Sequence, residues 1–178
     1  MSPESNKRIF LLATMILVAD QVTKLIVINT LPYGGEKIIV DGFFKFVHWG
    51  NTGAAWSMFS GNNHFLTFVA VAALIVLFLM RRHFGAEEKL GQIALGLMFG
   101  GIIGNIIDRI RIEHVTDFIY FYLKRRGGTE IGFPAFNIAD SAICIGVGLL
   151  FVLSWQADEE ASASDSPAPV DPAPAPKE

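Results

Sequence analysis

The 178-residue sequence predicts a mainly α membrane protein, a bundle of four transmembrane helices carrying a small β element, and three observations support that fold class. The chain is 52% hydrophobic and only 17% charged, where an ordinary soluble domain carries roughly 25% charged residues; its mean hydropathy is +0.44. Four apolar runs, Ile9 to Leu31, Phe65 to Met80, Leu90 to Ile107 and Ile138 to Trp155, approach or reach the roughly 17–25 residues that a crossing needs. Polar residues that are costly in lipid gather near the ends of those runs, where an ionisable group marks a functional site by default.

Taken in order, residues 1–8 are a polar lead. Lys7 and Arg8 precede the first run as they would in a signal peptide. That run is too long for one, carries Asp20 and Lys24, and is followed by no Ala-x-Ala site, so it reads as a retained helix. Pro32 to His64 is an outer segment. Within it Lys37–Val40 and Phe43–Trp49 are β-branched and aromatic, and Asp41-Gly42 between them predicts a hairpin turn. The second run is short for a crossing, but His64 at one end and Arg81, Arg82 and His83 at the other can snorkel to the interfaces.

Arg81 to Lys89 is a charged connection to the third run, where Gly96, Gly100 and Gly104 form a stripe beside Gly101. Small residues at that spacing let another helix approach closely. In the second outer segment, Arg109 to Asn137, His114–Leu123 alternates like a strand and Lys124 to Gly128 turns it back. Residues 1–156 therefore read as one membrane-embedded domain. Residues 157–178, made of Ala, Pro, Ser and acids, read as a disordered tail.

Several chemistries find no support in the residues. Cys144 is the single cysteine, so no internal disulfide or cysteine-based metal cluster can form, and it reads as a packed hydrophobe. No His-Glu-x-x-His occurs, and His48, His64, His83 and His114 stand at no metal-ligand spacing. No serine sits in a Gly-x-Ser-Gly setting, and no glycine loop cradles phosphate. A net charge of −3 gives no argument for nucleic acid. We expect neither metal nor cofactor.

Alternate threading of four helices brings the awkward residues to one side of the membrane. Asp20 and Lys24 come from the first helix, Asn105, Asp108 and Arg109 from the third, Asn137, Asp140 and Ser141 from the fourth, and Asn51 and Asp117 from the outer segments. Each has a structural reading. Asp20 and Lys24, spaced i,i+4, can neutralise each other and hold packing. Asn105 and Arg109 face one way, yet an arginine at a helix end can simply snorkel. Asn137 and Asp140 fit a helix N-cap with an acid at N3.

The cap leaves Asp117 unexplained, since it is set in a strand among Val115, Phe118, Ile119 and Tyr120. A carboxyl there must be paired, hydrogen-bonded or protonated. Two carboxyls in different environments suit acid–base hydrolysis, one taking a proton from water while the other donates one. A close pair shares a proton. The N-terminus of the fourth helix suits a carboxylate at Asp140, which leaves Asp117 as the better holder of that proton.

Five blocks, in order, carry a resemblance: Asp20-Gln21-x-x-Lys24, Asn51-Thr52-Gly53-Ala54-Ala55-Trp56, Gly100 through Arg109, Val115-Thr116-Asp117-Phe118, and Phe136-Asn137-Ile138-Ala139-Asp140-Ser141. Together they resemble the bacterial lipoprotein signal peptidases, or signal peptidase II. Two departures stand out: Trp56 where the family usually has phenylalanine and Thr116 where valine is common.

The resemblance implies an aspartic endopeptidase, multi-pass in the bacterial inner membrane. It would cut the signal peptide from a prolipoprotein just before a diacylglyceryl-bearing cysteine, with Asp117 and Asp140 as catalytic dyad. Asn51, Gly53, Asn105, Arg109 and Asn137 would line the site, with Asp20 and Lys24 in support. It also implies an extracytoplasmic β-cradle and short helix, a site facing that side and both termini in the cytoplasm. Partners would be prolipoprotein substrates and membrane lipids, with the enzyme acting as a monomer.

Charge bias alone does not favour that orientation. Lys7, Arg8, Arg81, Arg82 and Lys89 lie on the terminal side, against Lys37, Lys45, Arg109, Arg111, Lys124, Arg125 and Arg126 on the other. Some of the latter can serve the site or anionic headgroups. A proton-coupled transporter would also bury such charges but needs a polar route to both faces. A non-catalytic scaffold gives no reason for Asp117.

Overall fold

The computed structural model describes residues 2–53, 61–127 and 129–164. Trp56, with the rest of residues 54–60, lies outside them, and no short outer helix is found among the described elements. The order is α1 (Pro3–Thr30), β1 (Glu36–Val40), β2 (Phe44–Asn51), α2 (Asn63–Leu79), α3 (Lys89–Ile112), β3 (Val115–Lys124), β4 (Glu130–Gly132) and α4 (Ile138–Ser164).

The helices α1, α3 and α4 are long and apolar enough to cross a membrane, while α2 has 17 residues. Burial identifies the centre of the bundle: 61% of the α3 span is buried, against 17% for α1 and for α4. The outer helices instead expose Phe10, Leu11, Phe68, Leu79 and Phe151, as lipid-facing surfaces do. The glycine stripe explains how α3 takes the centre. A Cβ on Gly96 would meet Leu12, one on Gly100 would meet Ala13 and Ile16, and one on Gly101 would meet the Ala139 carbonyl of α4. Below that seam Ile9, Leu77, Ala86, Leu95, Ile102 and Ile106 form the apolar core.

Helix ends follow from local sequence. Ser2 accepts the Ser5 N–H at 3.1 Å with Pro3 following it, which starts α1. Glu113, at φ 63°, stops α3 in a left-handed conformation and redirects the chain into β3. The four strands form one antiparallel sheet in the order β1-β2-β3-β4. The hairpin expected at Asp41-Gly42 is present, with Gly42 at φ 76°.

The fourth helix does not end near Trp155. It continues to Ser164, eight residues into the segment expected to be disordered. Ala and Glu in that stretch are good helix formers, and Trp155 donates to Glu159 at 2.7 Å one turn on.

Candidate active site

The starts of β3 and α4 place the two candidate carboxylates on one cleft of about 710 Å³, lined by Asp117, Asp140, Asn51, Gly53, Asn105 and Arg109, with Phe133 to Phe136 and Cys144 completing its wall. Asp117 enters from β3, where antiparallel pairing sets it opposite Trp49 of β2, two residues before Asn51. Asn51 donates to Asp117 Oδ2 at 2.9 Å, and its own Oδ1 accepts the Gly53 N–H at 2.9 Å. Arg109 donates to the Gly53 carbonyl at 3.1 Å, so the lip of the cleft is tied to α3.

Asp140 sits in the first turn of α4, and the predicted cap is there in reciprocal form. The Asp140 N–H donates to Asn137 Oδ1 at 2.8 Å, and the Asn137 N–H donates to Asp140 Oδ2 at 3.3 Å. The cap also reaches the other candidate carboxylate, because Asn137 Nδ2 donates to Asp117 Oδ1 at 2.9 Å. Asn105 donates to Asp140 Oδ1 at 2.7 Å. One asparagine therefore bridges both carboxyls, and another holds the second.

Asp117 is buried to 3% exposure. Burial is the main cause that pushes its carboxyl up to about 7, and the nearby Asp140 charge adds to it. The hydrogen bonds from Asn51 and Asn137, and the Lys24 ammonium, pull the other way.

Asp20 and Lys24 lie beneath the cleft rather than in it. Lys24, 2% exposed, pairs with Asp20 at 2.9 Å and Asp108 at 2.9 Å, and donates to Asn105 Oδ1 at 3.0 Å. Asp20 Oδ1 accepts the Ala139 N–H at 3.0 Å. The i,i+4 pair is thus the root of a buried network that reaches Asp140 through Asn105.

Sequence reasoning put Asp108 on this side without giving it a task. It accepts the Thr116 N–H at 3.1 Å, which positions β3 one residue before Asp117, and it accepts Gln21 Nε2 at 3.1 Å. Gln21 also donates to Asp20 and to the Gly104 carbonyl. A usable signal existed: Gly104 and Asp108 are four residues apart on the α3 face that meets α1. Asn63, also passed over, donates to the Arg109 carbonyl at 3.0 Å.

Comparison with known proteins shows the family. Residues 12–156 match the family described as Signal peptidase (SPase) II. The lipoprotein signal peptidase of Bacillus subtilis (strain 168) is 38% identical over 144 residues, covering 80% of this chain and 90% of that protein. That of Geobacter metallireducens is 38% identical over 168 residues, covering 90% and 98%. The counterpart in Symbiobacterium thermophilum is 42% identical over 144 residues, covering 79% and 90%. A bacterial membrane enzyme solved by the in meso method superimposes with a TM-score of 0.74 at 31% identity, covering 92% of this chain and 94% of the other. With the match spanning the bundle, the sheet and every residue of the cleft just described, the chain belongs to the signal peptidase II family.

Proposed function

We propose that the chain is an intramembrane aspartic endopeptidase that removes signal peptides from diacylglyceryl-modified prolipoproteins, cutting before the lipidated cysteine. The observation that carries this reading is the Asn137 bridge: its side-chain amide donates to the Asp117 carboxyl and its backbone N–H to the Asp140 carboxyl, so one residue ties two carboxyls of different surroundings on the same cleft. Asp117 is the natural holder of the shared proton, because the N-terminus of α4 and the donors from Asn105 and the Asn137 N–H favour the charged form of Asp140. Asp140, with two oxygens held by Asn105 and the Asn137 N–H, is then the base.

The steps balance without a covalent intermediate. Asp140 takes a proton from water as the water oxygen bonds to the scissile carbonyl carbon, and Asp117 gives its proton to the carbonyl oxygen. Collapse of the diol breaks the C–N bond. The leaving amine takes the proton from Asp140, and Asp117 recovers one from the diol. Asn51, Gly53 and Arg109 at the lip orient the peptide. Apolar parts of the substrate stay in lipid while the scissile bond meets the dyad.

The same reading makes α2 the fourth crossing. Arg81 folds back over the Phe78 ring at 4.3 Å and donates to the Phe78 carbonyl, as an interfacial anchor would. Both termini are then cytoplasmic, the sheet is extracytoplasmic, the membrane is the bacterial inner membrane, and the working unit is one chain. Transport is disfavoured by the α1–α3 seam, where Gly96 and Gly100 close against Leu12, Ala13 and Ile16.

The test is cleavage of purified precursors in detergent, one carrying a diacylglyceryl cysteine and one unmodified, with the cut located by mass spectrometry. Cleavage of the lipidated precursor alone, just before its cysteine, is expected. Equal cleavage of both, or none of either, contradicts the proposal.

A further inference from the structure

The sheet has two unlike faces, one closed over a buried lysine and one open and apolar. Lys45, Tyr120 and Tyr122 lie on one face. There Lys45 reaches Glu36 and Glu130 at 2.7 Å each, with the Tyr122 ring 4.7 Å beneath it. The register fixes the other face. Val40 is opposite Phe44, Phe44 opposite Phe121 and Leu123 opposite Ile131, and on β3 the same alternation carries Asp117. Phe44 and Phe121 stack at 5.0 Å. Val40, Leu123 and Ile131 are 49%, 66% and 49% exposed. An apolar face of this kind, continuous with the cleft wall, marks an interaction surface.

Charge at the rim identifies the occupant. The sheet beyond the cleft carries Lys37, Lys45, Lys124, Arg125 and Arg126 against Glu36, Asp41 and Glu130, five cations to three acids, in a chain of net charge −3. Lys45 takes both glutamates and Lys124 pairs with Asp41. Among the described residues Lys37, Arg125 and Arg126 are exposed and form no ion pair. We propose that the sheet lies on the adjoining leaflet with its apolar face among acyl chains, and that Lys37, Arg125 and Arg126 hold anionic phospholipid headgroups there. The apolar face needs acyl chains and the rim needs negative charge, and an anionic leaflet supplies both.

The consequence is an annulus of anionic lipid beside the mouth of the cleft. It is tested on the full chain in single-copy nanodiscs, with Cys144→Ser removing the native thiol and Ile131→Cys carrying a fluorophore. Phosphatidylcholine discs receive equal fractions of either phosphatidylglycerol or phosphatidylcholine brominated on its acyl chains. Brominated phosphatidylglycerol should quench more strongly, by roughly two-fold, and high salt should erase the difference. The triple variant Lys37→Gln, Arg125→Gln, Arg126→Gln should quench equally with both lipids. Equal quenching in the parent protein overturns headgroup recognition. No quenching by either lipid overturns the docking itself, and quenching lost only when two copies share a disc would assign the face to a second chain.

Discussion

Asp20 of the first helix accepts the backbone N–H of Ala139 at 3.0 Å, so a buried carboxylate of α1 caps α4 one residue before Asp140. The same side chain neutralises Lys24 at 2.9 Å. The first helix therefore sets both the start of α4 and the charge balance beneath the cleft.

Removing that carboxylate leaves Lys24 with Asp108 as its one remaining acidic partner and an N–H of α4 uncapped. Asp20→Ala should lower unfolding stability by about 3–5 kcal/mol, the scale for breaking a buried pair. Thermal unfolding in detergent reads it, and a variant as stable as the parent would deny the network its structural role.

Glycine 104 keeps space for the same carboxylate, because a Cβ there would stand against Asp20 Oδ2. Gly104→Ala should reduce both stability and cleavage. Gly148, with nothing within 4 Å of an added Cβ, is the contrast: Gly148→Ala should stabilise by roughly 0.5–1 kcal/mol through helix propensity alone.

Thr116 is fully buried, and its Oγ1 finds no hydrogen-bond partner. Thr116→Val keeps the shape and removes the unsatisfied hydroxyl, which should stabilise by about 1 kcal/mol and leave cleavage unchanged. Unfolding and activity measured on one preparation separate the two effects.

The raised Asp117 carboxyl makes stability depend on pH in a definite direction. Its folded value, about 7, lies above the 3.8 of an exposed aspartate, so between them the folded chain binds the extra proton. The favourable contribution is complete below the lower value and is lost as pH rises through the upper one. Asp117→Asn has no such proton to lose. The variant should gain stability relative to the parent from pH 4 to pH 8, by roughly 1–3 kcal/mol, read from unfolding at each pH. A constant difference would contradict the shift.

The sequence made legible what depends on local pattern: the apolar runs, the turn at Asp41-Gly42, the glycine stripe and the Asn137–Asp140 cap. Partners set by packing were less accessible. Nothing near Lys24 announces Asp108, and nothing near Asp20 announces the Ala139 N–H, because those contacts exist only once α1, α3 and α4 have met. Lys45 read as one basic residue among several on that side, yet it is 3% exposed and clamps both edge strands through Glu36 and Glu130. The α4 boundary was missed for another reason, since an Ala- and acid-rich stretch can be tail or helix until a neighbour such as Trp155 extends it.

The central claim is that Asp117 and Asp140 together activate water, and steady-state cleavage by Asp117→Asn and Asp140→Asn tests it most directly. Asparagine keeps size and removes titration. Each folded variant should lose at least about 100-fold in kcat, at the lower end for general acid–base catalysis, with little change in KM. Either variant cleaving at the parent rate would contradict the shared role.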